Sequence, residues 1–254
     1  MTPAAGGVGA GGMVALRVRA ELAAGVAQAA PWAPALDGIL ASLLWAPRKA
    51  VEVSAGEYRV RALEREYPVD LELPLARCPI AGDSEVWHWL ATCGKPEEVA
   101  SGTVVHAWTG RVDARDLEVV ADRLPRVVSA RQGVFRARRM PLLVTPCRVL
   151  VWRAVGDPDA IRDLVGGVTS IGKKRAAGEG RVVRWEVIPE PDVDPARAGH
   201  LHSDGSLGRP TPPACLDQLG ATVNGGWGTA GIRPPYMHRS RQHHVALPAL
   251  LDGQ

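Results

Sequence analysis

From Met13 to Glu21 the chain reads MVALRVRAE, apolar and charged residues alternating with the period of two that a half-buried strand requires. Leu36 to Trp45 (LDGILASLLW) places its apolar side chains at helical spacing, and Pro47 predicts its end. Between residues 51 and 100 the pattern is broken by prolines. Tyr58–Leu63 and Val69–Leu73 read as strand pieces, and Ser84–Cys93 (SEVWHWLATC) as a short helix or aromatic-rich loop. Thr103–Trp108 reads as a strand, and Val127–Val144 as a loop or hairpin. Arg148–Val155 (RVLVWRAV) is a further strand. Asp157 and Pro158 then supply an N-cap and a first helical residue for a helix over 159–165, with Ile161, Leu164 and Val165 on one face. Arg181–Ile188 (RVVRWEVI) predicts a last strand on which Val183, Trp185 and Val187 alternate with other residues.

The order β-α-insertion-β-β-α-β predicts an α+β chain of ferredoxin-like, RRM-like (split βαβ) topology, with helices on one face of the sheet. On this reading residues 1–12 are a flexible start, and 13–188 form the domain with an insertion at about 46–102. Residues 189–254, dense in Pro, Gly and His, form an irregular C-terminal extension that wraps the domain or docks on a partner.

Charge changes the picture. Residues 1–125 carry 12 basic and 16 acidic side chains, residues 126–184 carry 13 and 4, and residues 185–254 carry 5 and 7. A polyanion would therefore be drawn to the middle block. The four cysteines form no CxxC pair, which argues against a zinc ribbon or a disulfide framework. Cys78, His88 and Cys93 match no familiar metal-site spacing, so buried or surface thiols are expected, with no metal and no cofactor. The uncharged Ala/Gly-rich start lacks the regions of a signal peptide, and no apolar run is long enough to span a bilayer; a soluble cytoplasmic protein with no membrane partner is expected.

The basic block is densest at Gly172-Lys173-Lys174-Arg175-Ala176-Ala177-Gly178-Glu179-Gly180, followed by Arg181. Residues 167–173 match G-x-x-x-x-G-K, but a phosphate-binding P-loop follows a strand and opens a helix, whereas this segment follows a helix and leads into a strand. Lys174 also stands where a Ser or Thr would hold magnesium. The context suits a nucleic-acid backbone better: glycines let the main chain approach closely, exposed N–H groups form anion-binding concavities, and three adjacent cations add charge without base specificity. Arg136, Arg138 and Arg139 are candidates for the same surface.

Leu164–Val187 (LVGGVTSIGKKRAAGEGRVVRWEV) resembles the glycine-rich loop of the RAMP proteins of CRISPR systems. Leu36–Ala41 (LDGILA) resembles the early helix of the Cas-five-like RAMP subunit of type IV CRISPR complexes. Gly231–His238 (GIRPPYMH) resembles that subunit's arginine-proline-proline-tyrosine segment, and Gly133–Pro141 (GVFRARRMP) is also similar. The resemblance implies an RNA-binding structural subunit of an antiviral ribonucleoprotein complex. It would hold the 5′ handle of the guide RNA (crRNA) and cap a filament of backbone (Cas-seven-like) RAMP subunits beside the large subunit, with target DNA a further candidate partner. It implies RNA contact by Gly172, Lys173, Lys174, Arg175, Gly178 and Gly180, and marks Arg233 and Tyr236 as a motif whose role is either RNA contact or packing. Where the family often has an aromatic residue, this chain has Glu179.

Trp87 and Trp89 could stack nucleobases or anchor the insertion. Trp152 and Trp185, on strands, read as core. No catalytic residue is assigned, and the chain reads as no enzyme. Two rival classes are a metal-independent endoribonuclease using His106 or a tail histidine (His200, His202, His238, His243 or His244), and a nucleotide-binding enzyme using residues 167–173.

Overall fold

A computed structural model describes residues 12–28, 32–56, 68–80, 83–98, 102–112, 114–120, 128–133, 135–175 and 178–249. The strand expected at 58–63 and all but residue 12 of the flexible start expected at 1–12 lie outside them. In chain order the elements are β1 Val14–Leu22, β2 Gly25–Ala27, α1 Leu36–Ser54, β3 Arg77–Ile80, β4 Asp83–Trp89, β5 Lys95–Pro96, β6 Val104–Gly110, α2 Ala114–Val120, β7 Arg138–Pro146, β8 Val149–Gly156, α3 Pro158–Gly166, β9 Val182–Pro189, α4 Pro195–His200, α5 Pro213–Leu219, β10 Trp227–Gly231 and β11 Gln242–Ala246. The chain is α+β, with antiparallel strand pairing throughout these elements.

The main sheet has the order β5-β8-β1-β9. Alternation along β1 sends Leu16, Val18, Ala20 and Leu22 to one face, where they pack with Leu150, Trp152 and Ala154 of β8 in the principal core. Leu36 and Leu40 of α1 and Ile161 and Val165 of α3 cover that face. The core tryptophans satisfy their indole N–H groups: Trp152 donates to the Pro34 carbonyl and Trp185 to the Val168 carbonyl, each at 2.8 Å. α3 begins as its sequence predicts, with the Asp157 carboxylate accepting from the backbone N–H groups of Asp159 and Ala160. β5, which contains Pro96, sits at a sheet edge, where a missing N–H is tolerated.

Several sequence expectations need correction. α1 runs through Pro47 to Ser54, so proline removes one helical N–H without ending the helix. Ser84–Cys93 is neither helix nor loop for most of its length; β4 pairs with β3 in a hairpin. Residues 68–73 form no strand. On β9 the buried valines are Val182 and Val187, whereas Val183 is exposed, because a register shift opposite Glu21 and Leu22 moves the pairing by one residue. The C-terminal extension is not irregular: it contains α4, α5 and the β10–β11 hairpin, with buried clusters around Leu201, Leu207 and Leu216 and around Ala230, Ile232 and Val245.

β2 and β7 lie outside the main sheet and join β6 in a second sheet of order β2-β7-β6. The β6–β7 ribbon is exposed along most of its length, with Ala27, Leu142 and Val144 buried at its root beside β2. This second sheet supports the basic loop.

Candidate nucleic-acid interface

The glycine-rich loop leaves α3 and returns into β9, and its two ends are tied together. Ile171 donates its N–H to the Gly180 carbonyl at 2.9 Å, Val182 donates to Thr169 at 2.9 Å, and Ser170 bridges Arg181. Gly180 has φ +64°, and a Cβ there would lie 1.9 Å from the Ile171 carbonyl oxygen. Gly172 has φ +80°, and a Cβ there would lie 2.6 Å from the Ala27 carbonyl oxygen. That oxygen accepts the Lys173 N–H at 3.0 Å, so the loop is seated on β2. These two glycines are demanded both by backbone conformation and by close contact at the loop's ends, whereas at Gly178, with φ +92°, a Cβ would meet open space and only the left-handed backbone calls for glycine.

Lys173 and Arg175 are exposed. Lys174 lies over the ring of Trp108 on β6, with Nζ 3.4 Å from the centroid, a cation–π contact. Glu179 turns its carboxylate to His106, also on β6, with 2.6 Å between Oε1 and Nδ1. Loop and ribbon therefore form one surface. Arg138 and Arg139 on β7 stand opposite Gly110 and Thr109 on the same ribbon, and Arg136 just before it is exposed.

None of Lys173, Lys174, Arg175, Arg181, Arg136, Arg138 or Arg139 has an ion pair with a carboxylate among the described residues. The sheet face away from α1 and α3 is different. There Arg19 meets Glu97 at 3.1 Å and Glu186 at 3.0 Å, Arg17 meets Glu190 at 3.3 Å, and Arg184 meets Glu186 at 2.9 Å. Its cations are already matched by carboxylates, and α4 packs over one end through Ala198 against Ala15 and Val155.

Other candidates fall away from this surface. Trp89 is 3% exposed and packs in the core, so it offers no face to a base. Trp87 is half-buried, edge-on to Trp89, with the guanidiniums of Arg77 and Arg233 at 4.4 and 4.2 Å from its centroid. Arg233 is buried and donates to the Trp87 carbonyl at 2.7 Å and to Asp70 at 3.3 Å. Tyr236 donates its hydroxyl to Asp37 and lies against Gly38. The two segments flagged separately in the sequence, at Leu36 and at Arg233, thus meet each other, and in this arrangement their side chains pack the fold.

Sequence reasoning missed a polar cluster that includes two of its own candidates. Cys78 on β3 stands directly opposite His88 on β4; His200 closes α4 and Cys215 lies on α5. One donor atom from each lies within 4.8 Å of the others. Cys93, grouped with Cys78 and His88 on spacing, is buried elsewhere, and burial pushes its thiol up to about 12. Burial pushes His88 down to about 4, and hydrogen bonding between the two thiols lowers Cys78 and raises Cys215. The missed partners lie more than 100 positions along the chain, with separations of 112 from His88 to His200 and 127 from His88 to Cys215.

No protein-family model matches the chain, and no curated protein matches it at a significant level. No described helix is long and apolar enough to cross a membrane.

Proposed function

We propose that this chain is an RNA-binding structural subunit of a CRISPR ribonucleoprotein effector complex, a Cas-five-like RAMP protein that holds the 5′ handle of the crRNA and works in the cytoplasm. The observation that carries the reading is the loop between α3 and β9. It is anchored at both ends by glycines whose backbone leaves no room for a side chain, and it presents cations with no carboxylate partners among the described residues, beside a basic ribbon. Such a surface binds phosphates by charge and close backbone approach. The sheet order β5-β8-β1-β9, with α1 and α3 on one face, supports a ferredoxin-like fold, in which this loop links the last helix to the last strand. The backbone RAMP subunits, the large subunit and target DNA are the partners this reading implies.

The test is binding of a labelled CRISPR repeat RNA across a salt series. Replacing Lys173, Lys174 and Arg175 together with Ala should weaken binding and flatten the dependence of log K on log salt by up to about 0.7 per lost phosphate contact. An unchanged slope removes the loop from the interface.

His106 favours a second reading. It is exposed on β6 and its Nδ1 meets Glu179 at 2.6 Å, an orientation in which Nε2 could serve as the base of a metal-independent endoribonuclease. Site-specific cleavage of the repeat RNA without metal, lost in His106→Ala, would replace the structural role with this one.

A further inference from the structure

We infer that Cys78, His88, His200 and Cys215 form a zinc site that fastens the C-terminal extension to the β3–β4 hairpin. The donor set is two thiols and two imidazoles, the N/S combination that closed structural zinc sites use. Its spacing suits a tetrahedron. With Zn–N near 2.0–2.1 Å and Zn–S near 2.3 Å, the edges would be about 3.4 Å between nitrogens and about 3.6 Å between nitrogen and sulfur. The two Nε2 atoms are 3.2 Å apart, and Cys215 Sγ lies 3.6 Å from His88 Nε2. The rings stand nearly perpendicular, at 88°.

The hydrogen bonds say which atoms are available. His88 Nδ1 lies 3.0 Å from the Trp89 carbonyl oxygen, and His200 Nδ1 lies 2.7 Å from that of Ala196. A carbonyl only accepts, so each Nδ1 carries the hydrogen, and each neutral ring turns a bare Nε2 lone pair inward. Two lone pairs facing each other at 3.2 Å repel, and the thiol beside them is only a weak donor. Protonating one ring would bury a charge in a site where His88 is 0% and His200 2% exposed. A divalent metal resolves the conflict, and backbone carbonyls holding the far nitrogens are the usual support for metal-bound histidine. Entry of Zn²⁺ turns both thiols into thiolates and releases two protons to solvent. With four protein ligands no position is left for substrate, so the site is structural. It ties a two-strand hairpin to α4 and α5, with 127 positions separating His88 from Cys215.

The experiment is metal analysis of the full-length chain, purified reduced and without chelator. About one zinc per chain is expected, and loading with Co²⁺ instead should give thiolate charge-transfer and tetrahedral d–d absorption. Cys215→Ser and His200→Ala should lose most of the bound metal, whereas Cys93→Ser and Cys147→Ser should keep it. Should the ligand variants precipitate, Co²⁺ titration of the native chain with a pH indicator should still report about two protons released per metal. Native reduced protein that takes up neither Zn²⁺ nor Co²⁺ at micromolar concentration, or thiol counting that reveals a Cys78–Cys215 disulfide, overturns the site. Neither result depends on RNA binding.

Discussion

The arginines under the C-terminal extension and those beside the glycine-rich loop are chemically identical and are put to opposite uses. Arg209 is 1% exposed and gives hydrogen bonds to the carbonyls of Trp89, Ala91 and Ile232, with Asp37 3.8 Å away. Arg241 donates to Pro68 and to Asp70. These guanidiniums take the place of apolar side chains as the centre of a packed region, each held by several fixed acceptors at its terminal nitrogens, while the Nε of each has none among the described residues. At the loop, Lys173 and Arg175 face solvent and no cation is ion-paired to a carboxylate among the described residues. Charge counted along the chain cannot separate the two sets; the acceptors around each guanidinium do. Buried arginine specifies structure, and unpaired exposed arginine remains available for phosphate.

The comparison is most severely tested at Arg209. Arg209→Ala should cost about 3–5 kcal/mol, because it removes the counter-charge of the buried Asp37 carboxylate and a buried donor from the carbonyls of Trp89, Ala91 and Ile232. A denaturation shift below about 1 kcal/mol would mean that the guanidinium is not integral to the packing. Gly180→Ala comes next. Its left-handed backbone alone costs about 1–3 kcal/mol in a non-glycine residue, before any clash with Ile171. RNA affinity should fall with stability there, since the loop's base must shift. The combined replacement of Lys173, Lys174 and Arg175 with Ala should move stability by no more than about 0.5 kcal/mol while weakening RNA binding. A large loss of stability would place these cations with the structural set. The smallest effect is expected for Glu179→Gln, which weakens an exposed contact with His106: under about 0.5 kcal/mol, and a modest gain in RNA affinity from removing a negative charge among the cations.

What was legible in the sequence was what local chemistry decides. β1 and β8 follow from alternation, and the start of α3 from Asp157 and Pro158. The loop's glycines also announced themselves, since their need is set by backbone conformation within a few residues. What was hidden depends on distant neighbours. Trp108 and His106 reach the loop through the β6–β7 pairing, and Cys78 and His88 meet His200 and Cys215 only once the extension has folded back. The register of β9 turned on a bulge at Val183, left unpaired between the partners of Glu21 and Leu22, which a strict period of two along β9 does not reveal. The extension read as irregular because its apolar clusters are small and are interleaved with Arg209, Arg233 and Arg241 bonded to backbone carbonyls, which leaves no long hydrophobic period to detect.

Arg209 also bears on how small a piece of this protein could stand alone. A chain cut after Pro189 would keep every strand of the main sheet, yet it would lose the donor that caps the carbonyls of Trp89 and Ala91 and the counter-charge of Asp37, at the start of α1. The sheet and its extension are therefore one unit of folding. Residues 190–254 thus supply donors and a counter-charge that the first half of the fold requires.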